Sequence, residues 1–141
     1  MIAAGTGAVA RDEHGEFIVA SAWFIPHAVL VDAVEMIAIR NGFYLAAKIG
    51  CNSLHIESNS SNAVEALNLE AFLGQDSATL LECKEMGLDF GQYEVTKCPQ
   101  EANSVADCIA KASLSNRSSE VWEEAIPDFI SHLIVNDLGI I

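Results

Sequence analysis

The sequence predicts one α/β domain over residues 1–141, a mixed β-sheet with helices laid against its faces, and three observations carry that prediction. Two short runs of small and β-capable residues, 7–11 and 17–23, are joined by Asp12-Glu13-His14-Gly15, whose terminal glycine suits a tight hairpin loop. A helix-period stretch follows at residues 31–49. Beyond it, short strand patterns alternate with further helix patterns. With 141 residues and 51% apolar side chains the chain can build one hydrophobic core without disulfide or metal staples.

In residues 31–49 the apolar side chains Val34, Ile37, Ala38, Leu45 and Ile49 recur at steps of three, four and seven, with Asp32 placed as N-cap and Gly50 as the stop. Phe43 and Tyr44 are expected in core packing. Residues 53–58 alternate polar and apolar as a strand does, and Ser60 then caps a short helix carrying Ala63, Val64 and Leu67. Ser77 opens another helix through Leu80, Leu81, Met86 and Leu88, and a strand over residues 93–98 stops at Pro99. Asn103 is the expected cap of a helix ending near Leu114, with Val105, Ala106, Ile109 and Ala110 on its apolar side. The tail, residues 121–141, reads most easily as a short helix packed back through Trp122, Phe129 and Leu133.

Seven Lys+Arg against 20 Asp+Glu leave a net charge of −13, which repels a phosphate backbone and offers it no counterion release. Any nucleic-acid affinity must then be local and metal-assisted, and single-stranded binding, which uses a basic groove and interleaved aromatics, ranks last. Cys51, Cys83, Cys98 and Cys108 show no CxxC spacing and no apolar signal segment opens the chain, so reduced thiols in the cytoplasm or nucleus are expected. No apolar run reaches the roughly 20 residues needed to span a bilayer, so no membrane partner is expected. His14, His27, His55 and His132 lack ligand spacing and read as surface or boundary residues. Asp12 reads as support for the hairpin turn.

Four phrases go further in order and spacing: GAVARDEHGEFIVASAWF, VEMIAIRNGFYLAAKIGCNSLHIESNS, YEVTKCPQEANSVADCIAKAS, and a Trp followed by Ile-Pro-Asp-Phe-Ile. Together they resemble the reverse-transcriptase-like ribonuclease H domain abundant in plant genomes, over nearly the whole chain. Such an enzyme clamps the scissile phosphate between two divalent ions about 4 Å apart, and Mg²⁺ in octahedral geometry demands several carboxylates on a rigid scaffold. The resemblance implies that Glu35 is the helix glutamate of that set and Asp107 the last-helix aspartate. The strand-end aspartate falls on Asn59, which keeps one oxygen but loses the charge, and the helper histidine of the HVPREAN-type segment falls on Lys97. Glu57 shares a strand face with Asn59 by period two.

The resemblance places the family's first strand, with its aspartate, before Met1, between the hairpin and the next strand of the sheet. Three fillings of that gap are open: a protein partner or adjacent domain adds a strand, two copies exchange segments, or the tail HLIVNDLGII returns and brings Asp137 near the vacant position. The expectation is a degenerate, non-catalytic ribonuclease H-like module that binds a protein partner or self-associates to complete its sheet. The alternative is a Mg²⁺-dependent nuclease cleaving RNA in an RNA/DNA hybrid through Glu35, Asn59 and Asp107.

Overall fold

Small residues carry the hairpin further than its β-branched runs alone would. In the computed structural model, which describes residues 2–28, 31–68, 77–123 and 129, β1 (Ile2–Arg11) runs antiparallel to β2 (Phe17–Ala28), with Gly5 opposite Phe24 and Ala8 opposite Ser21. Asp12 builds the turn as its position suggests: its Oδ1 accepts the N–H groups of His14 at 2.9 Å and Glu16 at 3.0 Å. Gly15, at φ 80°, supplies the left-handed step.

The chain divides into two compact units, Met1–Ala28 with Gln100–Ile141, and Val29–Pro99. The first is built on the hairpin. A 3₁₀ turn (Gln100–Asn103) leads into α4 (Ser104–Asn116), which buries Val105 and Ile109 against Ala20 and Ala22, with Val9, Phe17, Cys108 and Trp122 packed around them. Asn103 makes no side-chain cap hydrogen bond, contrary to the expectation; the 3₁₀ turn already brings the chain into helical winding ahead of Ser104. The helix ends at Arg117 (φ 52°, ψ 47°), whose N–H donates to the Ser113 carbonyl. Ser119 Oγ then accepts the Phe24 N–H at 2.8 Å. That bond draws the chain beside β2, where β5 (Glu120–Trp122) pairs antiparallel with Ala20–Ala22. The expected tail helix is therefore corrected at its start: Val121 and Trp122, branched and aromatic, favour the strand. The rest of the tail, with His132 and Asp137, lies outside the described residues apart from Phe129, whose ring meets Trp122 edge-on at 5.9 Å.

The second unit holds α1 (Val31–Lys48), β3 (Ser53–Ser58), α2 (Ser61–Asn68), α3 (Ser77–Gly87) and β4 (Gln92–Lys97). Helix α1 begins at Val31, one residue before the expected cap Asp32, whose side chain is outside the described residues. Its buried apolar residues are Met36, Ile39, Phe43, Leu45 and Ala46; of the expected stripe Leu45 is buried, Val34, Ile37 and Ala38 are only half-buried, and Ile49 is exposed. Phe43 is fully buried and meets Phe90 at 5.9 Å and Tyr93 at 5.4 Å, whereas Tyr44 turns outward and donates to Glu82 at 3.1 Å. Gly50, at φ 73°, ends the helix as expected. Ser60 Oγ caps α2 by accepting the Ala63 N–H at 3.3 Å.

Strands β3 and β4 pair in parallel from Ser53–Gln92 to Ser58–Lys97. Leu54, Ile56 and Val95 join the core that α1, α2 and α3 cover, while His55 and Glu57 stay exposed on the other face. Parallel and antiparallel pairing both occur, as a mixed sheet requires, but among the described residues they form separate ladders, β1-β2-β5 and β3-β4. No helix among the described residues is long and apolar enough to cross a membrane.

Cys83 sits at the centre of the second core, and burial pushes its thiol up to about 12 from 9.0. Cys98 is raised by burial too, with the Glu57 carboxylate adding to it. Native alkylation with iodoacetamide at pH 8, followed by peptide mass mapping, should therefore label the half-buried Cys51 and Cys108 and spare Cys83 and Cys98. Rapid labelling of Cys83 would show that this core opens readily. Between pH 9 and about 12 the folded chain keeps the Cys83 proton that the unfolded chain releases, so stability should fall as pH rises through that window.

Candidate functional site

Glu35 lies in the second turn of α1, half-buried, immediately before the core residue Met36. The same unit holds Asn59, the residue at which the chain leaves β3. Its position is held from several sides. Ser58 is buried and accepts the Cys98 N–H through its carbonyl at 2.9 Å. Its Oγ accepts the Ser60 N–H at 3.2 Å. Asn68, at the end of α2, donates to the Val95 carbonyl at 3.1 Å and ties that helix to β4. Asn59 thus stands on a strand-to-helix turn fixed by the parallel ladder and by the Ser60 cap. Lys97 is level with Ser58 in that ladder and exposed.

Asp107 belongs to the other unit, in the first turn of α4. Ala106 and Ala110 abut β1 at Gly7 and Gly5, which turns the intervening Asp107 away from the hairpin, with 42% of its side chain exposed. Its Oδ2 lies 3.0 Å from Nζ of Lys111, one turn further along the helix. An aspartate in a first turn also complements the helix N-terminus, so this carboxylate has two electrostatic partners within its own helix.

Glu57 is exposed at the end of β3, and His55 Nε2 lies 2.6 Å from Thr96 Oγ1 across the parallel pair, which accounts for His55 as a surface cross-strand contact. His14 and His27 are exposed as expected.

The donor set at these positions is mixed in charge. An amide at position 59 brings an oxygen without charge, and the Asp107 carboxylate lies 3.0 Å from the exposed Lys111 ammonium. Among the described residues no three His, Cys, Asp or Glu side chains gather closely enough to hold a metal ion. Glu35 and Asn59 belong to one compact unit and Asp107 to the other. Lys111 is the residue that sequence reasoning missed. Its i,i+4 spacing from Asp107 was the available signal.

The family described as reverse transcriptase-like matches residues 2–113. The crystal structure of RNase H1 from the halophilic archaeon Halobacterium salinarum NRC-1 is similar with a TM-score of 0.74 at 18% identity, over 79% of this chain and 86% of that one. The N-terminal RNase H domain of Rv2228c from Mycobacterium tuberculosis, solved as a fusion with maltose-binding protein, is similar with a TM-score of 0.57 at 13% identity, over 82% of this chain and 93% of that one. At these identities the likeness is one of fold. No curated protein matches the chain.

Proposed function

Because the chain belongs to the reverse transcriptase-like family and carries a ribonuclease H-like fold, we propose that it keeps the scaffold of that family and uses it to recognise a protein partner, without cleaving nucleic acid. The observation that carries this reading is the Lys111–Asp107 ion pair at 3.0 Å: a protein ammonium stands beside the retained carboxylate, where a nuclease of this kind needs a divalent cation. Asn59 weakens the set further, because charge lost from one ligand cannot be recovered by a neutral oxygen. The net charge of −13 opposes a polyanionic substrate. Four free cysteines suit a reducing compartment.

Substoichiometric Mn²⁺ added to isotope-labelled protein tests this through paramagnetic broadening of backbone signals. The expected result is diffuse broadening over the acidic surface, with no joint, selective loss at Glu35, Asn59 and Asp107. Selective loss at all three would mean that they do gather a metal. The second reading, hydrolysis of RNA in an RNA/DNA hybrid with Mg²⁺, is favoured by the retention of Glu35 and Asp107 at the family positions. It requires Asp107 to exchange Lys111 for a metal ion.

A further inference from the structure

We infer that a small cavity between α4 and β5 receives an arginine side chain of a partner protein; this rests on reading the chain as a protein-recognition module. The cavity, about 250 Å³, lies wholly within the unit built on the hairpin. Pockets for drug-sized ligands run to roughly 300–1,000 Å³, so this one suits a single long side chain.

Small residues leave the space. Glu120 pairs with Ala22 and Trp122 with Ala20 in the antiparallel ladder, so period two sets Glu120 and Trp122 on one face of β5. On α4, Ala112 and Asn116 stand one turn apart, and the buried Ser113 donates its hydroxyl to the Ser118 carbonyl at 2.9 Å, which ties the helix end to the segment entering β5. Ala22 and Ala112 contribute only methyl groups to the lining. Asn116, Ser118, Glu120 and Phe129 also line the cavity and are exposed, so its contents can exchange with solvent.

The lining joins two aromatic rings to oxygen acceptors. The Trp122 and Phe129 rings stand at 70° to each other, 5.9 Å apart, and Trp122 is held by packing on the core of Ala20, Ala22, Val105 and Ile109. Aromatic faces attract cations. The Glu120 carboxylate supplies a full negative charge and can accept two parallel N–H bonds from a guanidinium, to which Asn116 and Ser118 add neutral side-chain oxygens. Among the described residues Glu120 forms no ion pair: Lys111 is engaged by Asp107 at 3.0 Å, and the Arg117 guanidinium lies over the Phe24 ring, 4.9 Å from its centroid.

Among cations the guanidinium matches both parts of this lining, because it stacks flat on a ring while its five N–H donors stay in plane for the oxygens. A trimethylated ammonium would suit the rings and leave every oxygen without a donor. A lysine ammonium is a compact and strongly hydrated charge that gives up more on leaving water. The net charge of −13 draws a basic partner, and it opposes free arginine, which brings a carboxylate of its own.

The probe is the capped tripeptide Gly-Arg-Gly, titrated into the isotope-labelled whole chain while backbone amide and tryptophan indole signals are followed. Saturable shifts are expected at Asn116, Ser118, Glu120 and the Trp122 indole, with binding about tenfold weaker in Glu120→Gln, whose side chain is exposed and outside the core. Capped peptides with citrulline, lysine or trimethyllysine in place of arginine should bind about fivefold more weakly or worse, as should free arginine. Shifts spread over the acidic surface, an unchanged affinity in Glu120→Gln, or any of the four comparison ligands binding as tightly as the arginine peptide would each overturn the inference. Because the titration reads occupancy of this cavity and not catalysis, a failure here is separate from a failure of the non-cleaving reading, which a nuclease or metal measurement overturns.

Discussion

Replacing Gly7 with alanine should cost about 3 kcal/mol of unfolding free energy in a urea titration, and Gly7→Val about 4–5 kcal/mol, enough to leave the chain largely unfolded at room temperature. The atoms that a new Cβ meets are the Ala106 carbonyl oxygen, the Ala110 nitrogen at 2.8 Å and the Ile109 Cβ at 2.8 Å. Two of the three are backbone, so no rotamer change relieves the overlap; α4 must lift as a body. Lifting it would uncouple Val105 and Ile109 from Ala20 and Ala22, the centre of that unit's core. Gly42→Ala supplies the control within the same chain, since its Cβ would find only Ile56 Cδ1, at 3.6 Å, in ordinary contact. There the substitution should stabilise by up to about 1 kcal/mol through helix propensity. Equal effects at the two sites would show that the close seating of α4 on β1 is wrong.

Phe43→Ala should remove about 3–5 kcal/mol from the other unit, read as a lowered Tm and a lowered urea midpoint. Phe43 has no solvent exposure, and its ring is held between Phe90 at 5.9 Å and Tyr93 at 5.4 Å. Helices α1 and α3 and strand β4 all contribute to that cluster, so the cavity left behind cannot close without moving several elements. Phe43→Leu should recover more than half of the loss. A small effect of the alanine variant would mean that the α1 register is misplaced, because a one-residue rotation of the helix would carry Phe43 outward and Tyr44 inward.

Those two sites also show what the sequence disclosed. The hairpin, the strand and helix order and the starts and stops at Gly15, Gly50 and Ser60 were legible because each rests on a local preference: a left-handed backbone for the glycines, a hydroxyl acceptor for Ser60. The buried stripe of α1 was legible only to within a rotation. Val34, Ile37 and Ala38 are apolar enough to compete with Met36, Ile39 and Ala46, and tertiary packing decides among them. Nothing local distinguishes Gly5 and Gly7 from loosening residues in a strand; their reason is the helix that lands on them from a hundred positions away. Strand β5 was hidden similarly, since its pairing follows from the reversal at Arg117 and the Ser119 contact with Phe24.

For the site, family position placed Glu35, Asn59 and Asp107, and the amide at 59 could be read directly. The Lys111–Asp107 pair could be read from its i,i+4 spacing, and its ammonium lies 3.0 Å from the Asp107 carboxylate. An exposed i,i+4 pair contributes only about 0.3–0.5 kcal/mol, so it does not hold the fold.

The non-cleaving reading is tested by incubating a labelled RNA/DNA hybrid with the wild-type chain in Mg²⁺ and, separately, in Mn²⁺, with Asp107→Ala prepared in parallel to expose contaminating nuclease. No cleavage is expected above the level of the Asp107→Ala preparation in either metal. Hybrid cleavage by the wild type that disappears in Asp107→Ala would contradict it and establish that this chain still works as a nuclease.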